Sequence, residues 1–200
     1  MKFPFFASFI VFCIWLGYEI KKHRKLEESS MDEFWEREAV ANNTRRMPLD
    51  DLDYIQIPLE HLPMDILADD PQVKEYHETL TSLAGNPIVN FSGISNTDLK
   101  LTYGAPNINA LTLYDQRYTI LARTLQSLAA ALYEKGYVQE ACTVLEFAIS
   151  TRTDVSASYK LLITIYKELG QTEKIPELLP IAQSLTSGLK NHIIQMIEEA

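Results

Sequence analysis

Apolar residues recur at helical spacing through the second half of the chain. From about residue 112 they fall on one side of a long helix, and Gly136 interrupts the pattern. A second apolar face follows, and the same order then recurs with Gly170 as the interruption. The spacing predicts two successive helical hairpins. Their four apolar faces are Tyr118, Leu121, Leu125, Leu128 and Leu132, then Ala141, Val144, Leu145 and Ala148, then Tyr159, Leu162, Ile163 and Tyr166, and finally Leu178, Leu179 and Ala182.

The two hairpins are copies of one unit. Residues 121–154 and 155–188 align at a spacing of 34 residues. The identities are few, but glycine falls in each turn and a small alanine falls where the two helices of a unit must approach closely. The identical pairs are Leu128/Leu162, Glu134/Glu168, Gly136/Gly170, Leu145/Leu179, Ala148/Ala182 and Ser150/Ser184.

This unit resembles the tetratricopeptide repeat, whose 34-residue helix–turn–helix carries apolar and small residues at fixed positions. The resemblance covers about a third of the chain and implies a helical solenoid that holds a peptide or a partner helix on its concave face. Ile163 and Ile175 depart from the small residues of that family, and Pro180 predicts a kink in the last helix of the second unit. The matching residues are Leu125, Leu128, Ala129, Leu132, Gly136, Ala141, Leu145 and Ala148 in the first unit, and Tyr159, Leu162, Tyr166, Gly170, Leu179 and Ala182 in the second.

Further elements flank the two units. Pro71 opens a predicted helix over residues 71–84, and residues 188–199 predict a helix that caps the other end. Residues 86–109 are rich in turn-forming pairs and predict an irregular loop. The predicted fold class is therefore all-α, with a small solenoid and a C-terminal capping helix that follow an N-terminal transmembrane helix.

That transmembrane helix is predicted from the first residues. Residues 3–18 contain no charge, and a helix of this length is just long enough to cross a bilayer core of about 30 Å. A cleaved signal peptide is the alternative, but the apolar run is not followed by the small residues that mark a signal-peptide cleavage site. The basic run at residues 21–25 predicts a retained single-pass anchor over residues 1–20 with residues 26–200 in the cytoplasm.

Residues 21–70 predict a connection between the anchor and the helical body. Ser30 and Glu33 form a capping-box pattern that predicts a short helix over residues 31–42. The segment 45–71 contains four prolines and many apolar residues, so it predicts an extended stretch that lies against the body. The predicted domains are thus residues 1–20, residues 21–70 and residues 71–200.

Charge and composition narrow the function classes. Residues 1–25 carry five basic side chains against one acidic, whereas the rest carries 13 basic against 26 acidic. A basic footprint for nucleic acid is therefore not expected. The four histidines lack metal-binding spacing, and neither a phosphate-binding glycine loop nor a nucleophile elbow is present in the sequence. We accordingly expect no metal, no cofactor, no small-molecule substrate and no enzymatic activity.

The remaining expectation is protein binding. The repeat resemblance predicts an interaction scaffold for a protein or peptide, attached to a membrane by the first helix. The alternatives are a structural subunit of a membrane complex without a peptide groove, and, less favoured, an enzyme. The candidate partner-binding residues are polar positions on the first helix of each unit: Arg117, Arg123, Gln126, Lys160 and Lys167.

Overall fold

Helices form all the regular secondary structure in the part of the chain that the structure describes. The computed structural model describes residues 4–200, and its description leaves out the side chains of residues 4–8 and 22–30. Short 3₁₀ segments cover Ala105–Asn107 and Thr172–Glu177. The α-helices are α1 (Pro4–Asn42), α2 (Pro71–Leu83), α3 (Asn96–Tyr103), α4 (Ile108–Glu134), α5 (Val138–Ser150), α6 (Ser156–Glu168), α7 (Leu178–Ser184) and α8 (Lys190–Glu198). This all-helical architecture is compatible with the predicted helical-repeat fold.

The transmembrane anchor predicted at residues 1–20 is wrong. Among the residues that the structure describes, no helix combines the length and the apolar character that crossing a bilayer requires. Helix α1 does not end with the apolar run, because it continues past Tyr18 through charged Glu19 and Lys21. The predicted single-pass membrane location, with residues 26–200 in the cytoplasm, is wrong for the same reason. Residues 1–3 of the predicted anchor lie outside the described residues.

The first of two compact units contains residues up to Met47 together with Asn96–Pro106. Here α3 packs against the end of α1. The Glu38 carboxylate accepts hydrogen bonds from Thr97 Oγ1 at 2.7 Å and from Lys100 Nζ, and these donors, the lysine above all, lower the pKa of Glu38. Arg37 and Asp98 form a second ion pair between the same helices. Residues 86–109 are therefore not wholly irregular, because pairing with a distant helix stabilises α3.

The second unit contains Pro48–Ser95 and Asn107–Ala200. Helix α4 packs against α5 and α2, α6 packs against α5, and α8 packs against α6 and α7. The predicted apolar face of α4 is confirmed, because all five of its residues are buried. The proline-rich segment also lies against this core, where Ile55 N donates to Ile88 O at 2.9 Å and Leu62 is buried.

The two repeat turns follow the predicted geometry. Gly136 and Gly170 have φ values of +85° and +69°, a region that glycine enters readily and other residues enter at a cost. The second repeat unit differs from the first repeat unit after its turn. A 3₁₀ segment replaces the first part of its second helix, and α7 begins only at Leu178. Pro180 lies in the first turn of α7, where a missing N–H leaves no helical hydrogen bond unmade.

Candidate functional site

The first helices of the two repeat units, α4 and α6, are neighbours and are joined by two side-chain hydrogen bonds. Ser158 Oγ on α6 donates to Gln126 Oε1 on α4 at 2.6 Å. Tyr133 OH on α4 donates to Glu168 Oε2 on α6 at 3.0 Å, and this bond raises the pKa of Tyr133. These bonds fix the two helices side by side, so their exposed sides form one surface. We call the part that carries Arg123, Gln126, Lys160 and Lys167 the repeat face.

Three of the five predicted site residues are exposed. Arg123 lies on α4, and Lys160 and Lys167 lie two turns apart on α6. A spacing of seven residues places these lysines on the same side of the helix. Within the described residues, none of the three cations has an ion-pair partner. Their charges are therefore available to a ligand.

The other two predicted residues have internal roles. Gln126 accepts the bond from Ser158, so its oxygen helps to hold α4 against α6. Arg117 donates from Nη1 to Pro87 O at 3.2 Å and joins α4 to the segment that follows α2. Neither role was predicted from the sequence. The 34-residue spacing does place Gln126 and Lys160 at equivalent positions, one bound to the neighbouring helix and the other exposed.

The sequence also missed a polar cluster that joins the second repeat unit to the first. Glu146 Oε1 on α5 accepts from Tyr166 OH at 2.9 Å and from Lys174 Nζ at 3.1 Å. Lys174 Nζ lies 5.4 Å from the centre of the Tyr166 ring. The ion pair raises the pKa of Lys174, mainly through the hydrogen bond to Glu146. These groups line a cavity of about 260 Å³ between α5, α6 and α7, and they connect the two repeat units.

Cys142 lies beside this cluster and is buried on α5. Burial, with a smaller contribution from the Glu146 carboxylate, raises the pKa of the Cys142 thiol to about 11. The thiol therefore stays protonated at neutral pH and is a poor nucleophile. Its role in the described structure is to fill space in the core.

Side chains of the types that bind metals are dispersed over both compact units. Across the described residues, no set of three or more His, Cys, Asp or Glu side chains is arranged to hold a metal ion. The acidic side chains Asp50, Asp51 and Asp53 are exposed, as in a solvated loop. The predicted site thus offers a ligand the positive charges of the exposed cations on the repeat face.

Comparisons with known proteins do not assign the chain to a family. Neither protein-family models, nor curated protein sequences, nor solved structures give a match.

Proposed function

We propose that this chain is a protein-interaction scaffold, and that its repeat face binds an acidic peptide segment of a partner. The observation that carries the proposal is the pairing of α4 with α6, which forms one surface on which Arg123, Lys160 and Lys167 are exposed without ion-pair partners among the described residues. The likeness of the two units to tetratricopeptide repeats supports the same use of these helices.

The charge of the repeat face determines the class of ligand. The chain as a whole has a formal net charge of −9, so three exposed cations without ion-pair partners among the described residues are a local exception. A peptide with several carboxylates gains Coulomb attraction there, and arginine binds a carboxylate through two parallel hydrogen bonds. Exposed ion pairs contribute only about 0.2–1 kcal/mol each, so we expect weak binding that decreases as salt concentration rises.

The test is peptide display selection on the full-length chain, followed by affinity measurement for the selected peptides. We expect acidic peptides to be enriched. The double substitution R123E/K160E should weaken their binding at least about tenfold, which corresponds to 1.4 kcal/mol.

A matched control makes the result specific to the repeat face. The double substitution K74E/K190E changes the net charge by the same amount but alters α2 and α8 instead. It should leave peptide affinity within about twofold of the wild type. Equal weakening by both double variants would show that only overall charge matters, and selection of peptides without acidic residues would contradict the proposal.

A further inference from the structure

A polar cleft of about 380 Å³ opens in the second unit where α5 and α7 end. Its volume lies within the range of roughly 300–1,000 Å³ that is typical of small-ligand sites. Ser150 and Ser184, the last residues of the two helices, both line it. They are separated by 34 residues, so the repeat brings two equivalent helix ends to one cleft. We call this the polar cleft.

Seven hydroxyl groups line the polar cleft, and in the described structure five of them, all except those of Ser92 and Ser187, have their hydrogens engaged in internal bonds. Each of the five donates to a main-chain carbonyl, so its oxygen lone pairs remain as acceptors. The bonds are Ser150 Oγ to Phe147 O, Ser184 Oγ to Ile181 O, Thr151 Oγ1 to Ala148 O, Thr186 Oγ1 to Ser92 O and Tyr54 OH to Leu49 O, at 2.5–2.9 Å.

The amide of Asn90 is engaged in the same way. Its Nδ2 donates to Thr151 O and to Arg152 O, both at 3.0 Å, and its Oδ1 accepts from Ser92 N at 2.9 Å. The amide therefore holds the loop that follows α5 against the loop at residues 90–92. A cleft in which most of the hydroxyl and amide donors are used internally presents mainly acceptors to a ligand.

The charged groups of the polar cleft are two carboxylates and one cation. Asp154 is half-buried, and within the described residues its carboxylate has neither a hydrogen-bond donor nor an ion-pair partner. Asp53 pairs with Arg152, whose Nη1 lies 3.4 Å from Asp53 Oδ2. The lining thus has an excess of one negative charge. The carboxyl end of α5 adds a partial negative charge of its own.

We infer that the polar cleft binds a guanidinium group. Guanidinium carries five N–H donors, accepts no hydrogen bond and keeps its positive charge at all physiological pH values. It therefore complements an acceptor-rich wall that contains the unpartnered Asp154 carboxylate. The Arg152–Asp53 pair shows that this wall already accommodates one guanidinium at its edge. An anion would meet the net negative charge of the lining, where the one cation, Arg152, is already paired with Asp53.

The test uses full-length protein and the probe N-acetyl-arginine amide, titrated by two-dimensional NMR. The matched probe is N-acetyl-citrulline amide, which has nearly the same shape but a neutral urea group. We expect saturable binding of the arginine probe, with a dissociation constant of about 1 mM for a ligand of this size, and shifted amide signals around residues 150–154 and 184–187. The citrulline probe should bind at least about tenfold more weakly.

Two substitutions with opposite effects make the test specific. Asp154→Asn keeps the shape of the side chain and breaks no hydrogen bond of the described structure, and it should weaken arginine binding about tenfold. Arg152→Gly removes the internal guanidinium at a residue with φ +58°, where glycine is favoured, and it should strengthen binding. Asp69→Asn, an exposed change outside the cleft, is the control and should bind as the wild type does.

Two sources can supply the guanidinium, and the probes distinguish them. Tighter binding of an arginine-containing hexapeptide than of agmatine would assign the cleft to a protein partner, and the reverse order would assign it to a small molecule. Equal binding of the arginine and citrulline probes, or full binding by Asp154→Asn, would overturn the inference. The residues of the repeat face do not line this cleft, so failure of the peptide proposal would leave the result unchanged.

Discussion

Gly136 shows what one residue contributes to the repeat turn. It follows α4 at φ +85°, and its N–H donates to Tyr133 O at 3.0 Å. An added methyl group would meet no heavy atom within 4 Å, so the cost of Gly136→Ala comes from the backbone alone. We expect a loss of about 1–2 kcal/mol in the free energy of unfolding, measured by urea denaturation.

Gly188→Ala is the matched control for that prediction. It lies in the same compact unit and also has open space around the added methyl group, but its backbone is outside the left-handed region. The control should change the free energy of unfolding by less than about 0.5 kcal/mol. Similar losses in both variants would mean that the left-handed conformation of Gly136 is not the cause.

His77 makes the stability of the second unit dependent on pH. It lies on α2 with only 8% of its surface exposed, and among the described residues its Nε2 has no hydrogen-bond partner. Burial lowers its pKa below the usual value near 6.5, and the Asp65 carboxylate opposes this only in part. As pH falls through about 6.5, the unfolded chain therefore takes up the proton first, and the folded state loses stability.

The corresponding test compares urea midpoints at pH 7.5 and pH 5.5. The wild type should lose stability at the lower pH, and His77→Leu should lose less. The same variant should be more stable by about 1 kcal/mol at pH 7.5, because it removes a buried polar atom that lacks a partner. His192→Gln, an exposed change on α8, is the control. An unchanged pH dependence in His77→Leu would refute the assignment to His77.

The sequence predicted the buried leucines better than it predicted His77. The face of α4 follows from spacing alone, because a stripe of apolar residues every three or four positions must turn inward. His77 lies between Val73 and Leu80 on the same side of α2, and that position was the available signal. The sequence did not predict the internal bonds of Gln126 and Arg117, because those bonds reach Ser158 and Pro87 in distant parts of the chain, which a local pattern does not reveal.

At the level of elements, Asp70 connects two helices. Its carboxylate caps the start of α2 by accepting from Gln72 N at 3.0 Å and Val73 N at 3.2 Å, and it also pairs with Lys135 at the end of α4. The hydrogen bond from Lys135, followed by the capping bonds, lowers the pKa of Asp70. Asp70→Ala should therefore lower the melting temperature by about 3 °C, measured by circular dichroism.

Asp70→Asn separates the cap from the ion pair. Asparagine keeps an oxygen for the two backbone donors and loses the charge that Lys135 requires. Because exposed ion pairs contribute little, we expect Asp70→Asn to melt within about 1 °C of the wild type. A decrease equal to that of Asp70→Ala would assign the stabilisation to the ion pair instead.

Elements that depend on distant partners were the ones that the sequence predicted poorly. Helix α3 has only eight residues, and Leu99 is its one buried residue, so its apolar pattern is weak. It is held by Glu38 and its neighbours on α1, about 60 positions earlier in the chain. The predicted start of a short helix at residue 31 was also wrong, because α1 runs from Pro4 to Asn42. By contrast, α2 carries its own start signals in Asp70 and Pro71, and both α2 and α8 have apolar faces, so both predicted helices are confirmed.

At the scale of the whole molecule, the two compact units differ in how completely they bury apolar surface. The second unit has a continuous core that extends over α2 and α4–α8. Helix α1, in the first unit, exposes a run of large apolar side chains on all sides. They are Phe9, Ile10, Val11, Phe12, Ile14, Trp15, Leu16, Tyr18 and Ile20, each at least 40% exposed. Burial of such a surface against other molecules is strongly favoured in water.

We therefore expect the full-length chain to self-associate in aqueous buffer, and deletion of residues 1–20 to suppress this association. Light scattering after size-exclusion chromatography measures both masses directly against the 22.8 kDa of one chain. The deletion should leave the melting temperature of the second unit unchanged, because that unit contains only residues from Pro48 onward. The substitution pair Phe12→Ser and Trp15→Ser should reduce association partially, since it removes two of the largest exposed rings. A monomeric full-length chain, or equal association by the deletion variant, would show that another surface governs assembly.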